Sequence, residues 1–140
     1  MTASLRYQDV NVGDRLPDLP IPLTRTLIVS TAIASRDYQD VHHDRDLARQ
    51  RGAKDIFMTI LTTNGLVGRF VTDWAGPEAI LKTVAIRLGA PNYPGDTMRM
   101  TGSVKAKDAE EVTLEIHGTN AIGEHVSGTV TLKLPEAAKR

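Results

Sequence analysis

The chain has 140 residues with 17 Lys plus Arg against 17 Asp plus Glu, the size of one domain and no net charge to draw nucleic acid. It contains no cysteine, which removes disulfides, thiolate nucleophiles and sulfur-ligated metal sites. With 41% hydrophobic residues a packed core is expected rather than disorder. No apolar run approaches the ~18 residues of a membrane helix, and charges at Arg6, Asp9 and Asp14 argue against a secretory leader, so the expectation is a soluble, cytoplasmic protein.

Residues 7–23 hold three of the seven prolines and no helical period, and read as an extended lead-in with one short strand. Thr26 to Ser35 is small and apolar, with Ile28, Ala32 and Ser35 on one face, and is assigned as a helix. A dense polar loop then leads to a short helix in DRDLARQRG, with Asp44 as N-cap and Gly52 as its stop. Residues 56–74 carry Ile56, Ile60, Leu61, Val67, Phe70, Val71 and Trp74 at three- and four-residue steps, predicting a long helix buried on most of its circumference. Gly65 and Gly68 inside it imply a close neighbour. The period then becomes two, with strands expected at 79–88, 97–106, 111–119 and 125–134. Residues 135–140 read as a frayed tail.

A long apolar helix followed by a four-stranded meander, with one more strand from the lead-in, is an α+β layout. A helix apolar all round is hidden in so small a chain only by a sheet that wraps it, the hot-dog arrangement. Its open sheet edge points to an oligomer.

Chemistry concentrates in Asp37–Asp44, DYQDVHHD, with three carboxylates and two of the four histidines. A carboxylate and an imidazole a few ångströms apart relay protons, the requirement for adding water to an activated double bond. Asp37 and His42 are the candidates for that pair. His43, next in sequence, is expected to face away, and Asp44 to cap the helix. Ser35 either fastens the loop or ends a helix. Adjacent histidines rarely share one ion and no distant third ligand stands out, so no metal site is expected. Thr62, Thr63 and Asn64 need partners on a buried helix; they either line an acyl pocket or, the commoner outcome, bond back to carbonyls four residues earlier, and Asn64 is the cleft candidate. His117 and His125 are expected at the surface or an interface.

Residues 35–44, S-R-D-Y-Q-D-V-H-H-D, resemble the hydratase signature S-x-D-x-N-P-x-H-x-D of the MaoC-like (R)-specific enoyl-CoA hydratases. Ser35, Asp37, His42 and Asp44 match, whereas Gln39 replaces Asn and Asp40 replaces Pro. VNVGDRLP and YPGDTMRMTGSV also look like recurring family segments. The resemblance implies Asp37 and His42 as the acid/base pair. It further implies backbone amides at the mouth of the buried helix, Met58 and Thr59, as donors to the thioester oxygen. Thr59 stands where the family usually has glycine. Within the family the chain is similar to small subunits of actinobacterial hydratases acting on steroid-CoA esters. That implies an acyl-CoA thioester substrate, no cofactor beyond the CoA of the substrate, and a homodimer or a hetero-oligomer with a larger MaoC-like subunit. The rivals are a hot-dog thioesterase and a subunit that only completes a partner's pocket.

Overall fold

The computed structural model describes residues 3–137. The strands are β1 (Leu19–Pro22), β2 (Ile80–Leu88), β3 (Thr97–Asp108), β4 (Glu111–Thr119) and β5 (Glu124–Lys133), and the helices α1 (Arg25–Ala34), α2 (Arg45–Gln50) and α3 (Ile60–Ala75). One antiparallel sheet runs in the order β1-β3-β4-β5-β2. Alternation explains why β4 sits at its centre: Val112, Leu114 and Ile116 are all fully buried on one face, while Thr113, Glu115 and His117 lie between them on the other.

Against that apolar face lies α3, which contributes Leu66, Val67, Phe70, Val71 and Ala75 to a single core. Each of these side chains larger than Ala75 is worth about 1.5–3 kcal/mol of burial. The helix comes close enough that a Cβ at Gly102 on β3 would stand 3.1 Å from the Phe70 ring, a tight fit that the ring would have to relieve by shifting. Farther along the wrapped sheet, a Cβ at Gly128 would run into the Ala85 carbonyl across the β2–β5 ladder. The hot-dog layout expected from the sequence is therefore present.

Three expectations need correction. The helix begins at Ile60, not 56, because Phe57 N–H donates to the Val41 carbonyl at 3.1 Å and Met58 N–H to the Asn92 carbonyl at 3.1 Å. Those tertiary bonds pull the apolar run 56–59 straight, and Thr59 caps the helix. Nor is α3 buried all round: Ile60 and Leu61 are each 47% exposed. Finally, β2 does not join the meander. Only β3-β4-β5 are consecutive neighbours, and β2 crosses to pair with β5 at the outer edge.

The lead-in is pinned at several points. β1 pairs with β3, and Lys107 Nζ donates to the carbonyls of Tyr7 and Val10 at 2.7 and 2.6 Å. Part of the expected tail is tied as well, since Tyr7 N–H donates to the Pro135 carbonyl at 3.0 Å; residues 138–140 lie outside the described residues. Among the described residues no helix is long and apolar enough to cross a membrane.

Candidate active site

The end of α1 aims the first site residue. Ser35 is the C-cap, its Oγ donating to the carbonyls of Thr31 and Ala32 at 2.7 and 3.1 Å. Arg36 follows with φ +60°. Arg36 N–H then reaches the Ile33 carbonyl at 3.0 Å and Asp37 N–H the Ala32 carbonyl at 2.9 Å. This is the paired-bond helix stop that usually takes glycine at the left-handed position. Of the two readings of Ser35, the structure shows the helix end.

A 3-10 turn over Asp40–His42 carries the second residue. The Asp40 carboxylate takes two bonds from Arg51, 2.8 Å from Nε and 3.0 Å from Nη2, fastening the turn to the end of α2. Asp44 caps α2 by accepting from Leu47 N–H at 3.0 Å, and Gly52 adopts φ +93° just beyond its end. With the turn so fixed, His42 is 6% exposed and His43 faces solvent.

His42 Nε2 stands 3.3 Å from Asp37 Oδ2. Nδ1 of the same ring lies 2.7 Å from the Phe57 carbonyl. A carbonyl only accepts, so Nδ1 carries a hydrogen, and the ring presents its Nε2 toward Asp37. Phe57 also packs edge-on against the imidazole at 5.0 Å. The extended stretch that delays α3 thus sets the tautomer of His42.

Asp37 Oδ2 accepts from Thr59 Oγ1 at 2.6 Å, and Oδ1 from Gln39 N–H at 3.4 Å. The Thr59 hydroxyl holds the Asp37 pKa below the usual carboxylate value; partial burial opposes this, and Gln39 N–H and His42 assist. An ionised carboxylate accepts hydrogen bonds, and so does the Nε2 of a neutral imidazole, so the two side chains together can receive one donor such as a water.

The pair borders a cavity of about 310 Å³ lined by apolar Phe57, Met58, Ile60, Leu88 and Pro91 and by polar Gln39, Thr59 and His125. It sits at the N-terminus of α3, where helix N–H groups are free. Among the described residues no acceptor meets the N–H of Thr59 or Ile60. The Met58 amide is committed to the Asn92 carbonyl, so Met58 lines the cavity without offering that N–H to it. Asn64, a turn deeper on α3, is half-buried and does not line it. No group of three His, Asp or Glu with metal-binding placement occurs among the described residues.

His125 was not expected here. It is 2% exposed rather than on the surface: the β4–β5 pairing shifts register between Gly118↔Val126 and Thr119↔Glu124, leaving His125 out of that ladder and buried next to Val126. Its Nδ1 donates to the Ala90 carbonyl at 2.6 Å and its Nε2 meets Thr63 Oγ1 at 2.9 Å. Thr63 therefore does not bond back along its helix, and neither does Thr62, which donates to Thr31 Oγ1 at 2.7 Å. No signal in the strand pattern reveals it, because the register shift buries two successive residues, His125 and Val126, where alternation allows one. His117 lies on the outer face between Glu115 and Glu124, at 3.0 and 2.8 Å.

Comparison with known proteins adds four findings. A family model described as MaoC like domain matches residues 10–128. The chain is 50% identical over 126 residues to the 3-oxo-4,17-pregnadiene-20-carboxyl-CoA hydratase beta subunit of Mycobacterium tuberculosis, covering 90% of this chain and 98% of that one. Among solved structures, a chain of the ChsH1-ChsH2 complex from M. tuberculosis superimposes with TM-score 0.87 at 51% identity, covering 89% of this chain and 98% of its own. The R-hydratase PhaJ1 from Pseudomonas aeruginosa has the same fold, with TM-score 0.87 at 20% identity over 95% of this chain and 87% of that chain.

Proposed function

Because the chain belongs to the MaoC-like domain family, we propose that it is a hydratase subunit adding water across the double bond of a trans-2-enoyl-CoA, with Asp37 and His42 as the acid/base pair. The observation that carries this is the 3.3 Å approach of His42 Nε2 to Asp37 Oδ2 inside a thioester-sized cavity. A water donating to both groups is held for attack on the β-carbon. As its oxygen bonds there, one hydrogen stays on that oxygen and becomes the product hydroxyl. The other passes to His42 Nε2, across to Asp37 and on to the α-carbon. Negative charge building on the thioester oxygen meets the free N–H groups of Thr59 and Ile60, donors typically worth about 3–4 kcal/mol each at such sites. Hydration is redox-neutral, so these proton transfers suffice and no cofactor is invoked.

The 50% identity to a beta subunit named for a steroid-CoA hydratase supports a steroid side-chain thioester as substrate and a larger MaoC-like protein as partner. The rim agrees. Ile60 and Leu88 line the cavity yet are 47% and 37% exposed, and β2 ends the sheet with an unpaired edge among the described residues. A cavity of about 310 Å³ takes the thioester and the carbons beside it, and a four-ring acyl group needs further walls from a second subunit. The cytoplasm, where acyl-CoA esters are turned over, is the proposed setting.

Steady-state assays of the chain alone and co-expressed with a larger MaoC-like protein, on short, medium and steroid enoyl-CoAs, test the reading. Loss of enoyl absorbance without free thiol is expected. Thiol release would make the protein a thioesterase, and a complex whose activity survives Asp37→Ala would place the chemistry in the partner.

A further inference from the structure

The geometry points to Thr59 as a positioning residue: its side-chain hydroxyl, not only its amide, sets the ionisation and orientation of Asp37. This rests on the proposed role of Asp37. Thr59 is 1% exposed and stands at the N-cap of α3. Its single hydroxyl hydrogen goes to Asp37 Oδ2 at 2.6 Å, while the oxygen accepts from Leu61 N–H at 3.3 Å. The short bond is the charge-assisted one, and the long bond is an ordinary cap.

Capping alone does not call for threonine. Asn, Asp, Ser and Gly all serve at an N-cap, but glycine has nothing to donate and an aspartate would repel Asp37. The β-branched side chain also has few rotamers, so the hydroxyl is delivered at a fixed angle from the helix mouth. One residue therefore ties the free amides of α3 to the carboxylate that receives the water's hydrogen. Only the ionised form of Asp37 accepts that hydrogen, and a donated hydrogen bond favours that form.

Among the described residues no other hydroxyl donates to Asp37, and the Gln39 N–H reaches Oδ1 only at 3.4 Å. His42 is the titratable group facing Asp37 from the 3-10 turn. His125 lines the same cavity from β5 and is pushed toward neutrality by burial. The first turn of α3 carries no acid, and Asp40, nearby on the loop, is engaged by Arg51.

The test compares Thr59→Gly, Thr59→Val and Thr59→Ser. Glycine keeps most of the cap and loses the donor, whereas valine loses both. In ¹³C-aspartate NMR titrations, with the Asp37 signal assigned by its loss in Asp37→Asn, the Asp37 inflection is expected to move up in Thr59→Gly and Thr59→Val and to return in Thr59→Ser. In the assembled enzyme, kcat for Thr59→Gly is expected to fall about tenfold to a hundredfold, the worth of one hydrogen bond to a charged group. KM should change little, the acid limb of the pH profile should move up, and serine should recover the rate. An unmoved Asp37 inflection in a folded Thr59→Gly protein, or a serine variant that titrates like the glycine one, would overturn the assignment. The titration needs no turnover, so a parent complex without hydratase activity would sink the proposed function while the Thr59–Asp37 link was still decided.

Discussion

The Asp37–His42 corner and the Thr63–His125 corner border one cavity, and in both the imidazole Nδ1 donates to a backbone carbonyl, Phe57 at 2.7 Å and Ala90 at 2.6 Å. Both rings are buried, at 6% and 2% exposure. They part at Nε2. In His42 it faces a carboxylate and the cavity; in His125 it is closed off by the Thr63 hydroxyl at 2.9 Å. The free nitrogen, rather than burial or tautomer, separates a group able to take a proton from one that holds walls together. His125 ties the start of the 89–96 connection to α3, a job its backbone shares through Gly89 N–H to the His125 carbonyl at 2.7 Å.

Truncating each ring in turn is the harshest way to break this contrast. His42→Ala is expected to lower kcat by about 10²–10⁴-fold, the range for a lost acid/base group, and also to cost about 1–3 kcal/mol of stability because the Phe57 carbonyl loses its donor. His125→Ala should leave kcat within about tenfold. It should cost about 1–3 kcal/mol of stability, because Thr63 and the Ala90 carbonyl lose their buried partner. Parallel turnover and urea-denaturation measurements decide it, and equal kinetic losses would erase the distinction.

Stability against pH sharpens it further. Burial lowers the His125 pKa from its ordinary 6.5, so the unfolded chain binds that proton more readily. The contribution is full above about pH 6.5 and drains away as pH falls from there toward the folded-state value. His117 runs the other way: Glu115 and Glu124 raise its pKa from 6.5, giving a contribution full below about pH 6.5 and lost as pH rises through the folded-state value. Denaturation midpoints between pH 5 and 8 should therefore flatten on the acid side in His125→Gln and on the alkaline side in His117→Gln. An acid-side loss that persists without His125 would remove burial as its cause.

The same contrast explains what was readable in the sequence. Asp37 and His42 lie five residues apart in one polar loop, a local pattern that states its own chemistry. Thr63 and His125 are 62 residues apart, and nothing local on either side announces the meeting. Strands with clean alternation were legible nearly to the residue, as with β4 over Glu111–Thr119. The start of α3 was not, because its approach is apolar for tertiary reasons: Ile56 joins the core, while Phe57 and Met58 line the cavity and bond to Val41 and Asn92. The crossing of β2 to β5 was equally hidden, since adjacent strands in sequence pair by default.

The smallest expected effect concerns the residue that aims Asp37. Arg36 occupies the left-handed region at φ +60°, at a cost of about 1–2 kcal/mol for a side chain with a Cβ. Glycine would remove that strain but give back part of it through a freer unfolded chain. Arg36→Gly is therefore expected to stabilise the protein by no more than about 1 kcal/mol. The bonds placing Asp37, Arg36 N–H to Ile33 and Asp37 N–H to Ala32, are made by backbone alone, so kcat should stay near that of the parent. Arg36→Val, β-branched at the same φ, should instead destabilise and lower kcat as Asp37 swings from Thr59. If the glycine variant lost as much activity as the valine one, the arginine side chain, rather than the turn it sits in, would be acting on the site.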